Sequence, residues 1–267
     1  MGQVILFVAP NNEAVSEEEH ESPPLSTDVT AGEFYTLLLK IGDGNYHESD
    51  DKITISAGLG SVVTTLTNLI AQIYPDISNM NVKSMDWLQE RAILTTWNDK
   101  SADINETLLQ SFERVEMEYK SVDSVVDVDD AVHYPVEFLN TLDPPGLPTQ
   151  KLLVKVGVPV MLLRNLNPPK LCNGTRLRVK ALHRTVIEAT VFTDCAQGES
   201  VFIPRIPLIP SDYPFEFQRL QFPLKLCFAM TINKSQGQSL KVAGIDLRDD
   251  CFLHGKFYVA CSRVSTT

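Results

Sequence analysis

Cysteine is scarce in this chain. Of its 267 residues only Cys172, Cys195, Cys227, Cys251 and Cys261 are cysteines, and none forms a CxxC pair. That spacing argues against a disulfide framework and a zinc site, and it fits free thiols in a reducing compartment. Long apolar runs are also missing. The first run, Val4 to Ala9, has six residues and no basic residue before it, too short for a secretory signal core or a membrane span. A soluble intracellular protein with no membrane partner is the expectation. Basic residues are few in the first 150 positions, 7 Lys and Arg against 26 Asp and Glu, a net of −19. Residues 151–267 reverse the balance with 16 against 8, a net of +8, so the overall charge of −11 hides an acidic half joined to a basic one. Only the basic half has the charge that a nucleic-acid partner requires. Hydrophobic content of 43% with 21% charged residues is ordinary for a globular protein, and the length allows one or two domains.

Along the chain, residues 1–32 read as a disordered acidic segment, since positions 10–32 combine Pro, Ser and acids with almost nothing to bury. Helical spacing returns at Phe34, Leu37, Leu38 and Ile41, with Gly42 as a stop, and again over Val62 to Ile73 before Tyr74-Pro75. Arg91 to Thr96 has the β-branched texture of a buried strand; Trp97-Asn98-Asp99 turns it, and a helix follows near Asp103 to Phe112 with Ser101 as cap. The end of such a strand is a usual position for ligand groups. Met117 to Val126 reads as a further strand and Asp127 to Asp130 as a solvated acidic turn whose spacing fits no metal loop. Short apolar or alternating runs then follow from Lys151 to Ile206, punctuated at Pro168-Pro169, Asn173-Gly174 and Gly198, the rhythm of a small β-barrel or antiparallel sheet. Finally the apolar run Leu226 to Met230 breaks into Thr231-Ile232-Asn233-Lys234-Ser235-Gln236-Gly237-Gln238-Ser239. Thr, Asn, Lys, Ser and Gln bond phosphates, and Gly lets backbone N–H groups approach closely.

Three segments make one constellation: RAILTTWND from Arg91, VMLLRNLNPPKLCNGTRLRV from Val160 together with FAMTINKSQGQSL from Phe228, and HGKFYVACSRVS from His254. Their order and spacing resemble the C-terminal half of superfamily-one DNA helicases of the Pif (petite integration frequency) family, especially the helicase part of Helitron transposases. The resemblance runs from about Glu33 to the end. It implies an α/β fold, the second RecA-like helicase lobe, with a parallel sheet and flanking helices interrupted by a small inserted β-barrel. The implied division is a helical remnant of the first lobe and linker over 33–90, lobe over 91–150, barrel over 151–223 and lobe again over 224–267. Such enzymes use ATP to move along single-stranded DNA, with the nucleotide held between two lobes. By this resemblance Arg91, Asn98, Gln236 and Gly237 face the nucleotide cleft. Thr231, Asn233, Lys234 and Ser235 touch the DNA backbone, and Arg263 reaches the γ-phosphate of ATP on the other lobe, as an arginine finger does. Asn173-Gly174 is a turn by composition, and the resemblance sets it at the barrel tip near DNA. Arg164, with Arg176, Arg178 and Lys180, reads either as a phosphate-contacting face or as solvated charge. The aromatics Tyr213, Phe215 and Phe217 read as cover for a joint or as stacking groups for bases. A nuclear location is implied by the family.

The sequence also departs from that pattern. It contains no GxxxxGK[ST] phosphate loop and no Asp-Glu dipeptide, so the nucleotide loop and the Mg-binding acidic pair of the family are missing. Val242 to Asp246 reads as a later strand of the same lobe. ATP and Mg are therefore expected only where a first lobe is supplied by another chain or segment, and the isolated chain is expected to carry no cofactor and no catalysis. A non-catalytic single-stranded DNA-binding module, or an interaction protein that caps a complete helicase lobe or chain, are the alternatives from other classes.

Overall fold

In a computed structural model the described residues are 3–8, 31–45, 48–49, 52–53, 60–127, 132–192, 196–211, 213–249 and 255–264. They begin with β1 (Gln3–Val8), α1 (Ala31–Gly42), the two-residue strands β2 (Glu48–Ser49) and β3 (Lys52–Ile53), β4 (Ser61–Val63) and α2 (Leu66–Ile73). Then come α3 (Met85–Gln89), β5 (Arg91–Thr95), α4 (Asn98–Ser111), β6 (Glu116–Lys120), β7 (Val122–Val125) and α5 (Val136–Leu139). A run of strands follows: β8 (Lys151–Lys155), β9 (Pro159–Leu162), β10 (Arg176–Leu182), β11 (Val186–Val191), β12 (Ser200–Pro204), β13 (Ile206–Leu208), β14 (Phe217–Gln221) and β15 (Leu224–Leu226). The chain closes with β16 (Ala229–Thr231), β17 (Val242–Leu247) and α6 (Lys256–Cys261).

Two compact units result, Met1–Asp76 with Glu90–Ile104 and Ala229–Thr267, and Ile77–Gln89 with Asn105–Phe228. The first is built on a five-stranded sheet in the order β16-β5-β17-β1-β4. Here β5 lies between β16 and β17, parallel to both, while β1 pairs antiparallel with β17 and β4. The expected parallel sheet is the β16-β5-β17 part, and β1 and β4 extend it antiparallel, so the whole sheet is mixed. The antiparallel half comes from the N-terminal apolar run, which is too short for a membrane but long enough for a strand. Residues 3–8 consequently leave the segment expected to be disordered, and residues 9–30 of that segment lie outside the described ones. Strands β5 and β17 are buried almost throughout, as parallel strands covered on both faces are.

Helix α2 shows how the helical stretch before position 77 belongs to this sheet. Thr65 caps it by accepting the Asn68 N–H at 3.1 Å. Leu69 and Ile73, one turn apart, are fully buried, and a Cβ on Gly244 of β17 would meet Leu69 Cδ1 at 2.9 Å. The absence of a side chain at 244 lets the helix lie directly on the strand. The predicted helix over 62–73 is shorter than its apolar pattern, because Val62 is taken by β4.

The second unit begins earlier than position 151. Strands β6 and β7, assigned to the lobe by the sequence reading, pair antiparallel with β8 and β14. A five-stranded antiparallel sheet, β12-β11-β10-β9-β15, and a three-stranded one, β13-β14-β7, complete its ladders. Val160, Met161, Leu162, Leu177, Ile187, Val191 and Phe222 form its buried core. The alternating burial of β11 is that of a strand with one face inward.

Two polar devices hold this unit. Arg219 and Asp123 are fully buried and paired, with Nη2 to Oδ2 at 2.7 Å and Nε to Oδ1 at 3.1 Å. The guanidinium also donates to the carbonyls of Pro148, Leu139 and Leu142, and the Ser121 hydroxyl donates to Asp123 at 2.6 Å. Lys155, almost wholly buried, donates to the Leu109 and Phe112 carbonyls at the end of α4, satisfying acceptors that a helix leaves open there.

Candidate nucleic-acid and nucleotide site

The three parallel strands of the first unit end on one edge of the sheet. Their register sets Thr231 of β16 and Asp246 of β17 on either side of Thr95 of β5. Ligands of open α/β sheets bind outside this carboxyl edge. At Thr95 the hydroxyl donates to the Trp97 carbonyl at 2.9 Å, which folds the chain sharply into α4. Asn98, exposed, is the first residue of that helix. Ser101, expected as the cap, instead lies inside the helix with its hydroxyl donating to the Asn98 carbonyl at 2.7 Å.

After β16 the chain enters a 3₁₀ turn over Ile232–Ser235. Ile232 points into the core and Asn233 is exposed, while Thr231 and Lys234 are half-buried. A second turn follows at once. Gln236 has φ −58 and ψ 132, Gly237 has φ +80, and the Gln238 N–H donates to the Ser235 carbonyl at 3.0 Å. This is a type II turn, whose third residue needs positive φ and therefore favours Gly. Gln236 and Gly237 are both exposed on it. The loop ends where the Leu240 N–H donates to the Arg263 carbonyl at 2.8 Å. The C-terminal arginine segment and the polar loop are thereby stitched together.

Two of the residues expected to meet a ligand do not present themselves to one. Ser235 is fully buried, its hydroxyl donating to the Ile232 carbonyl at 2.7 Å; it closes the 3₁₀ turn and is unavailable to a DNA phosphate. Arg91 opens β5, opposite Val242, at the other end of the strand from Thr95. Four residues at about 3.3 Å each separate it from the loop edge by roughly 13 Å. Burial lowers its basicity, against the opposing influence of Glu90 and Tyr74. Arg263 is half-buried and folds back, donating from Nε to the Val259 carbonyl at 3.1 Å and from Nη2 to the Ser262 hydroxyl at 3.0 Å.

Asp246, read from the sequence only as the end of a strand, is a buried carboxylate at this edge with a partner of its own. Asp246 is almost fully buried, and Arg248 donates to it from Nε and Nη2 at 2.8 Å each. These bonds hold the guanidinium even more firmly protonated than usual. The Asp-x-Arg spacing at a strand end was the available signal. The buried negative charge that would oppose an anion at this edge is thus neutralised from within.

Arg164 and Asn173 lie in the second unit. Arg164 Nη1 donates to the Gly146 and Leu163 carbonyls, both at 2.9 Å. Asn173 is exposed in a turn where its N–H donates to Asn165 Oδ1 at 2.7 Å and Gly174 has φ +96. The basic alternation of β10 is largely internal. Arg176 is buried and donates to the Gln89 and Leu88 carbonyls, and Arg178 donates to Gly157, Lys83 and Met80. Lys180 pairs with Glu188 at 2.8 Å. These side chains tie the 80–89 stretch to the sheet, where a phosphate-contacting face would leave them extended into solvent.

Comparison with known proteins adds what geometry alone does not. Residues 137–182 match the family model of the DNA helicase Pif1 2B domain. In this part the chain is similar to the Pif1 helicase family. It is similar to the ATP-dependent DNA helicase Pif1 of Bdellovibrio bacteriovorus, at 35% identity over 115 residues, 43% of this chain and 26% of that protein. With the human ATP-dependent DNA helicase PIF1 it shares 31% identity over 174 residues, 64% of this chain and 25% of the other. The fold is similar to that of Bacteroides Pif1 solved bound to single-stranded DNA, with a TM-score of 0.54 at 23% identity over 89% of this chain and 48% of that one. The chain spans about a quarter of the length of the curated Pif1 relatives it matches. No helix among the described residues is long and apolar enough to cross a membrane.

Proposed function

We propose that this chain is the C-terminal portion of an ATP-dependent DNA helicase of the Pif1 type. It contributes contacts to single-stranded DNA from the loop Thr231, Asn233 and Lys234, with Gln236 and Gly237 beside the nucleotide cleft, and it offers Arg263 to the γ-phosphate of ATP held elsewhere. The observation that carries the reading is the exposed polar loop at the carboxyl edge of three parallel strands, in a chain with a Pif1 2B segment. Arg263 serves this role only by releasing its bonds to Val259 and Ser262, a rearrangement that an incoming γ-phosphate would drive with its charge. ATP and Mg come with a partner lobe or chain that supplies a phosphate loop and an acidic pair, since the sequence contains neither. We assign the Helitron type and a nuclear location on the sequence strings alone.

Binding of a fluorescent oligo-dT tests the DNA side. Affinity falls with salt by about −0.7 in logarithmic slope for each phosphate contacted. The double variant Asn233→Ala/Lys234→Ala loses about tenfold or more, one neutral hydrogen bond of roughly 0.5–1.5 kcal/mol and one charged one of roughly 1.5–3 kcal/mol. Unchanged affinity in that variant would remove the loop from the DNA path.

A further inference from the structure

The second unit carries an aromatic patch that the helicase reading does not use. Tyr134 and Phe215 stack with ring centroids 3.8 Å apart at 15°, and Phe138 lies 6.1 Å from each. Tyr213 meets Phe215 and the fully buried Phe217 edge-on. Around this anchored cluster the surface stays apolar: Phe138 is 41% exposed, Val136 51% and Val132 86%.

The patch is held in shape from beneath. Helix α5 has only four residues and buries Leu139 alone, yet its last carbonyl and that of Leu142 accept from Arg219, whose charge is neutralised by Asp123. The Val126 N–H donates to the Glu216 carbonyl at 3.0 Å, tying the other border to β14. A fully buried ion pair thus fixes a short helix whose outward face is aromatic, and a rigid aromatic surface loses little entropy on binding.

Charge selects the occupant. Among the described residues, 121–127, 132–150, 206–211 and 213–218 supply the patch and its borders and contain no Lys or Arg and five Asp and Glu. Asp123 is taken by Arg219, whereas Glu137, Asp143 and Glu216 are exposed. Such a rim repels nucleic-acid phosphates, which excludes this aromatic cluster as a base-stacking track despite its geometry. Two copies of the patch would repel each other in the same way. A guanidinium meets both halves of the surface, since it stacks flat on aromatic rings and pairs with carboxylates.

We propose that this patch docks an arginine-bearing segment of a partner protein, with a guanidinium against Phe138 and Tyr134 and its charge shared by Glu137 and Glu216. Fluorescence anisotropy of the whole chain with a labelled peptide of alternating Arg and Gly tests it. Saturable binding is expected, weakened about fivefold or more by Phe138→Ser and likewise by Glu137→Lys. The charge-matched control Glu106→Lys on α4 stays within about twofold, and the peptide with Lys for Arg binds more weakly. Absence of saturable binding, equal weakening by Glu106→Lys, or indifference to both patch variants overturns the proposal. Displacement of the peptide by oligo-dT from the wild-type chain but not from Asn233→Ala/Lys234→Ala would instead assign the peptide to the loop at 231–238 and overturn the proposal. Phe138 and Glu137 are both exposed, and an unchanged melting temperature separates lost docking from lost fold.

Discussion

At the scale of single residues, the arginines of this chain divide by what their guanidinium groups already hold. Arg176, Arg178 and Arg219 are committed to backbone carbonyls or to a buried carboxylate, and the first two stand where alternating basic residues read as a phosphate-contacting face or as solvated charge. Removing one member of a buried pair leaves the other charged and unpartnered, which costs about 3–5 kcal/mol. Arg219→Met is therefore expected to destabilise the second unit by that amount in urea titration. Arg219→Met with Asp123→Leu recovers much of it, because no uncompensated charge remains. A loss below about 1 kcal/mol for Arg219→Met alone would show that the pair does not hold the unit. The glycines divide as sharply: Gly237 is required for its positive φ, Gly244 for the space that Leu69 occupies.

At the scale of elements, the Gly244 contact identifies α2 as an integral part of the first unit. A methyl group at that position would lie 2.9 Å from Leu69 Cδ1, and overpacking of this kind costs about 1–3 kcal/mol. Gly244→Ala is expected to lower stability by that much, and Leu69→Val placed with it to restore part of the loss; an additive effect of the two changes would contradict direct packing. Element identity was legible where pattern and burial agree. β5, β17 and the loop after β16 follow from continuous apolar runs that stop at polar residues, and β11 follows from alternation. What escaped was partnership across the sequence. The apolar run at Val4 gives no sign that it lies antiparallel to β17, and β6 and β7 give no sign that they pair with β8 and β14, because pairing depends on residues far away in the chain. Ser235 escaped for the opposite reason: its polar side chain bonds locally, inside the turn that its own neighbours create.

At the scale of the whole molecule, acidic and basic halves do not coincide with the two structural units, since each unit draws on both. The candidate site was legible as a polar loop following a strand. Its geometry was not, because Arg91 shares a motif with Asn98 yet stands at the opposite end of β5. The central claim is that this chain supplies the DNA loop and an arginine to a motor whose phosphate-binding parts lie outside it. The most direct measurement is steady-state ATP hydrolysis by the purified chain with saturating oligo-dT. The expected result is DNA binding with a turnover no greater than that of a buffer control. ATP turnover that oligo-dT stimulates and Arg263→Ala abolishes would contradict it.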